Sequence, residues 1–118
     1  MSSELVVLVT TPEGGLSKRI AEALVGERLA ACVNIVTGVE SVYRWEGALT
    51  TGREQLLIIK TTESRLAALE KRIKELHEYS VPEILALKVE AGSEDYLRWI
   101  NEMTAGPEAP DLDRAEKV

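Results

Sequence analysis

"CVNIVTGVESVYRWEGALTTGREQLLIIKTT", residues 32–62, decides the fold. The stretch has no helical period. Its side chains alternate, Val, Ile, Tyr and Thr are frequent, and Gly38, Gly47 and Gly52 punctuate it. That pattern reads as one long β-hairpin turning near Glu46-Gly47-Ala48. If residues 32–45 are all extended, the arm is about 45 Å long at roughly 3.3 Å per residue.

Outward from the hairpin the elements pair up. "ELVVLVT" (4–10) is a short β-branched strand ended by Thr11-Pro12-Glu13-Gly14-Gly15. Over 16–29, Leu16, Ile20, Ala23 and Leu24 share one face of a helix. A second helix over 64–77, which Thr62 or Ser64 can cap, repeats Leu66, Leu69, Ile73 and Leu76. After Pro82, "ILALKVE" (84–90) reads as a strand. Ser93 then caps a last helix whose apolar face is Tyr96, Trp99, Ile100 and Met103, with Glu94 and Asp95 in the first turn. The order β-α-β-β-α-β with an extra helix is an α+β, ferredoxin-like arrangement.

The hairpin overruns this domain, because the helix at 64–77 is only about 21 Å long at 1.5 Å per residue. Val39, Val42, Tyr43 and Trp45 would form an apolar ribbon with open edges, and Gly38 offers a bulge to bend it. A neighbouring copy is the expected cover. The domain is expected over residues 1–104, and "AGPEAPDLDRAEKV" (105–118), with Pro, Gly, charge and little apolar content, is expected to be an acidic, mobile or loosely docked tail.

The 118 residues suit one core, and the hydrophobic fraction of 45% and charged fraction of 29% are those of a globular chain. A net charge of −6 opposes nucleic-acid binding and anionic-membrane surfaces, so neither partner is expected. The start "MSSELVVLVT" lacks the features of a signal peptide, and a single cysteine, Cys32, permits no intrachain disulfide. A cytoplasmic location is expected.

Few residues offer chemistry. His77, the sole histidine, could take a divalent ion through imidazole, but as the end of the second helix it needs no ligand, and on local sequence that reading leads. Cys32 is a candidate thiolate or simply a small core residue, with Asn34 on the same face of its strand. Lys60 and Thr61, at the end of a strand before a helix, could hold an anion or serve as an edge lysine and a cap. Tyr43, Trp45, Tyr79, Tyr96 and Trp99 are all the aromatics and suit core, cleft or interface. With one histidine, no nucleophile–base–acid constellation can be assembled, and no enzyme is expected.

"ERLAACVNIV", "SVYRWEG", "LLIIKTT", "LHEYSVPEILAL" and "DYLRWI" together resemble the CutA family of divalent-cation tolerance proteins from about residue 4 to 103. The resemblance implies a homotrimer of ferredoxin-like subunits similar to the PII signalling proteins, with hairpins pairing between subunits. It also implies binding of copper or another divalent metal ion, with His77, Cys32 and Glu78 as the metal candidates. Asn34, Tyr43, Trp45, Lys60, Thr61, Tyr79 and Trp99 are implied at an intersubunit cleft or interface. Glu78 stands where the family often has proline, and Val9 and Leu76 are apolar where some relatives carry extra ligands. The alternative is a PII-like sensor of a small anionic ligand, without catalysis and without an organic cofactor. An acylphosphatase shares the subunit fold, but "TTPEGGL" has no phosphate-cradling arginine before Arg19.

Overall fold

Over residues 3–106, which the computed structural model describes, strand β1 (Glu4–Pro12) leads to helix α1 (Leu16–Gly26) and the hairpin strands β2 (Cys32–Trp45) and β3 (Ala48–Thr62). A 3-10 turn (Glu63–Arg65), helix α2 (Leu66–Leu76), strand β4 (Leu85–Lys88) and helix α3 (Glu94–Met103) follow. The sheet is antiparallel with strand order β2-β3-β1-β4. This is the ferredoxin-like βαββαβ fold with an added C-terminal helix. Of the tail expected from residue 105, everything after 106 lies outside the described residues.

Alternation sorts the two faces of the sheet. Leu5, Val7 and Val9 of β1 and Leu57 and Ile59 of β3 point to one side, where Leu16, Ile20 and Leu24 of α1 and Leu69 and Ile73 of α2 complete a dry core. On the opposite, outer face, α3 covers one end. Asn101 Nδ2 donates to Glu4 Oε2 (2.5 Å), and Arg65 Nε donates to the Thr104 carbonyl (2.8 Å). Beyond α3 no described residue covers the outer face, and Leu85 and Leu87 are half-exposed.

Several boundaries differ from the sequence expectation. α1 stops at Gly26 because Arg28 takes a positive φ of 62° and the Leu29 and Ala30 N–H groups both turn back onto the Leu24 carbonyl. Neither Thr62 nor Ser64 caps α2. The 3-10 turn intervenes, and their hydroxyls sit 3.3 Å apart. β4 is four residues long, ending where its ladder with Leu5–Leu8 ends. Ser93 does cap α3, accepting from the Tyr96 N–H at 3.3 Å.

The hairpin closes through Glu46 (φ 50°) and Gly47 (φ 82°) between the paired Trp45 and Ala48, a two-residue turn of the twist that hairpins favour. The register shifts between Val36↔Leu56 and Val39↔Glu54, so Thr37 and Gly38 (φ 75°) together oppose Gln55. This bulge changes which side chains face outward. Before it Cys32, Asn34 and Val36 lie on the outer face. After it the odd-numbered Val39, Ser41, Tyr43 and Trp45 take that face. The arm projects from the domain, with Val42 64%, Trp45 61% and Leu49 75% exposed, and the long axis is 49 Å against 27 and 24 Å.

Candidate functional site

His77 ends α2 and is buried, at 9% exposure. Its Nε2 lies 2.7 Å from the Thr10 carbonyl, and its Nδ1 accepts the Tyr79 N–H at 3.1 Å. A carbonyl can only accept and an amide N–H can only donate. The two partners therefore assign the neutral Nε2–H tautomer, with both ring nitrogens engaged. β4 pairs with β1 only as far as Leu8, so the imidazole supplies a donor to a β1 carbonyl two residues past the end of that ladder.

Tyr79 extends this contact. Its ring lies 4.7 Å from the His77 ring, and its hydroxyl donates to Glu54 Oε2 at 2.7 Å. Burial first, then the Glu54 hydrogen bond and the neighbouring Glu54, Tyr43 and Glu78, push the Tyr79 phenol above the usual tyrosine range. Tyr43 sits close by because Gly52 leaves room for it: a Cβ at that position would come 3.3 Å from the Tyr43 hydroxyl. His77, Tyr79, Glu54 and Tyr43 thus make one cluster at the root of the arm, immediately past the bulge.

A second group lies on the outer face under α3. Cys32 pairs with Lys60 across the strands and is half-buried; the Lys60 ammonium donates to Asn34 Oδ1. Tyr96 stacks against Trp99 with ring centres 5.5 Å apart, and its phenol is raised by burial and then by the nearby Cys32. Thr61 does not join Lys60. It points the other way, fully buried, and its hydroxyl donates to the Leu29 carbonyl at 2.7 Å. Adjacent positions of a strand face opposite sides, so one anion cannot take both side chains.

The three expected metal donors do not meet within the chain. Cys32 pairs opposite Lys60, whereas the carbonyl held by His77 belongs to Thr10, which pairs opposite Leu56. Four residues of β3 separate these levels, about 13 Å. Among the described residues no group of three or more His, Cys, Asp or Glu side chains could hold an ion. Glu78 is exposed beside the cluster. The single-chain donor set therefore does not fit a resident divalent ion. Sequence reading missed Glu54, which shares no local pattern with Tyr79 from 25 residues away, and the bond from the Ser17 hydroxyl to Gln55 Oε1 at the start of α1.

Residues 5–103 match the family model described as CutA1 divalent ion tolerance protein. The chain is 50% identical over 101 residues to the divalent-cation tolerance protein CutA of Thermus thermophilus, covering 86% of this chain and 98% of that one. It is 52% identical over 100 residues to the chloroplastic protein CutA 1 of Oryza sativa, covering 85% of this chain but spanning only 56% of that relative's length. Among solved structures, the Thermus thermophilus divalent cation tolerance protein superposes with a TM-score of 0.84 over 86% of this chain and 98% of its own at 50% identity. The Oryza sativa CutA1 does so with 0.85 over 86% and 94% at 51% identity.

Proposed function

Because this chain belongs to the CutA1 divalent ion tolerance protein family, we propose that it serves divalent-cation tolerance in the cytoplasm as a non-catalytic homotrimer that binds copper or a similar ion. The working domain is residues 1–104, with 105–118 as an acidic appendage. The observation that carries the assembly is the arm: Val42, Trp45 and Leu49 stand in solvent toward its end, and among the described residues β2 and β4 leave both sheet edges unpaired. An exposed apolar edge of this length is a template for pairing with another chain, and a second copy of the arm is the cover proposed. The −6 net charge favours cations as ligands.

Metal binding then depends on donors brought together between copies. Cys32 and Glu78 are the accessible members of the expected set, with a soft thiolate suited to copper. His77 is already committed to Thr10 and Tyr79. Light scattering and a Cu(II) titration by calorimetry test the two halves: a mass of three chains, and ion binding lost in Cys32→Ser and Glu78→Gln, are expected. A monomer, or a trimer with no Cu(II) uptake, sinks the corresponding half.

A second reading rests on Lys60 and Asn34, whose polar ends sit on the outer face near Cys32, Tyr96 and Trp99. With Tyr43 and Trp45 of a neighbouring arm and Tyr79 at its root they would line a PII-like cleft for a small anion. Thermal shift against a panel of nucleotides and organic anions separates this reading, because a flat response removes it.

A further inference from the structure

We infer that His77 is a positioning residue for the root of the hairpin arm and not a ligand for a divalent ion. Both ring nitrogens are engaged: Nε2–H donates to the Thr10 carbonyl at 2.7 Å, and Nδ1 accepts the Tyr79 N–H at 3.1 Å. The residue is 9% exposed, so neither partner is replaced by solvent at low cost. A metal needs a free lone pair on one nitrogen. Nδ1 has already given its lone pair to an amide, and Nε2 carries the proton.

The role left to the ring is mechanical. Its bond to Thr10 holds the segment after α2 against β1 beyond the end of β4. Its bond to the Tyr79 amide and its face against the Tyr79 ring, centres 4.7 Å apart, orient that side chain. The Tyr79 hydroxyl then reaches Glu54, the cross-strand partner of Val39. Val39 is the first paired residue after the Thr37-Gly38 bulge, where the arm leaves the domain. A chain of four residues, Thr10, His77, Tyr79 and Glu54, thus sets the direction in which the arm projects, and with it the face it offers to a neighbouring copy.

The test begins on the unaltered protein. Long-range proton–nitrogen NMR is expected to find the imidazole as the Nε2–H tautomer, with neither nitrogen shifting when Zn(II) is added. A Zn(II)-induced shift of Nδ1 would overturn the inference. Amide exchange then reads the mechanical role. In His77→Ala and in Tyr79→Phe, which keeps the His77 bonds, the amides around Val39 and Glu54 are expected to exchange about tenfold faster or more relative to Val7 and Ile59. His77→Asn, whose side-chain oxygen can take the place of Nδ1, is expected to restore part of the protection. Unchanged relative exchange at the arm root in both His77→Ala and Tyr79→Phe overturns the role. Absence of any ion binding by the protein would count against the metal function proposed above while leaving the tautomer and the exchange data to decide this one.

Discussion

Thr11 of β1 and Thr61 of β3 both point to the helix side of the sheet with no solvent exposure, yet their hydroxyls have opposite consequences. Thr61 Oγ1 donates to the Leu29 carbonyl, closing off the chain that leaves α1, whereas Thr11 Oγ1 has no partner among the described residues. Thr61→Val strands a buried carbonyl and is expected to cost about 1–3 kcal/mol, while Thr11→Val removes an uncompensated hydroxyl and is expected to be neutral or stabilising. Paired thermal melts check the difference in sign. Tyr79 gives a pH prediction. Its folded phenol titrates above the ordinary value, so the contribution of the neutral ring is complete below about pH 10 and is lost as pH rises through the folded value. In an ultraviolet titration the Tyr79 phenol is expected to ionise above the ordinary tyrosine value, and Glu54→Gln should bring it only partway back, since burial is the larger cause. Neither threonine's fate nor Glu54 was legible in the sequence. A hydroxyl's partner is set by which carbonyl the fold brings near, and local pattern carries no record of contacts 25 or 32 residues away.

At the level of elements, the hairpin depends on two glycine positions with left-handed backbone. Gly47 completes the turn and Gly38 makes the bulge, with φ of 82° and 75°. Either one replaced by alanine meets open space but a strained backbone, expected to cost about 1–2 kcal/mol by chemical denaturation. Gly38→Ala carries the wider effect, because the bulge decides which residues share a face with Cys32 and Asn34. Without it Tyr43 and Trp45 would turn to the helix side. The hairpin, its turn and the bulge were all legible from glycine spacing and alternation. The face inversion was not: it follows from counting two residues of β2 against one of β3. Helix ends were the other misreadings. Thr62 and Ser64 look like caps, yet the chain leaving β3 must tighten into a 3-10 turn first, and their hydroxyls face one another instead.

Taken whole, the molecule is a small two-layer domain with a long arm. Its radius of gyration of 15.2 Å exceeds the roughly 13 Å of a compact domain of this size. The core itself is conventional, and Ile73→Ala, emptying a fully buried site between α2 and the sheet, is expected to cost about 2–5 kcal/mol. The arm carries a different expectation. Trp45→Glu with Leu49→Glu touches nothing in the core, so the chain should remain folded by circular dichroism while light scattering reports loss of the proposed association. An unchanged mass would remove the arm from the assembly. Family membership also has its weight at this scale. It spans residues 5–103 and rests on motifs scattered over the whole domain, although no single residue among them announces a chemistry.

Element order, the hairpin and its overrun were set by composition and periodicity, because alternation and glycine placement are local properties that any compact packing must respect. The status of His77 was a matter of packing. On the chain it is a lone imidazole at a helix end, open to being a ligand. Folded, the start of β4 only at Leu85 leaves a β1 carbonyl in reach of Nε2, and the turn toward Pro82 brings the Tyr79 amide back onto Nδ1. Hydrogen-bond satisfaction in a buried site depends on groups 67 residues apart, and only their meeting turns a candidate ligand into a clamp.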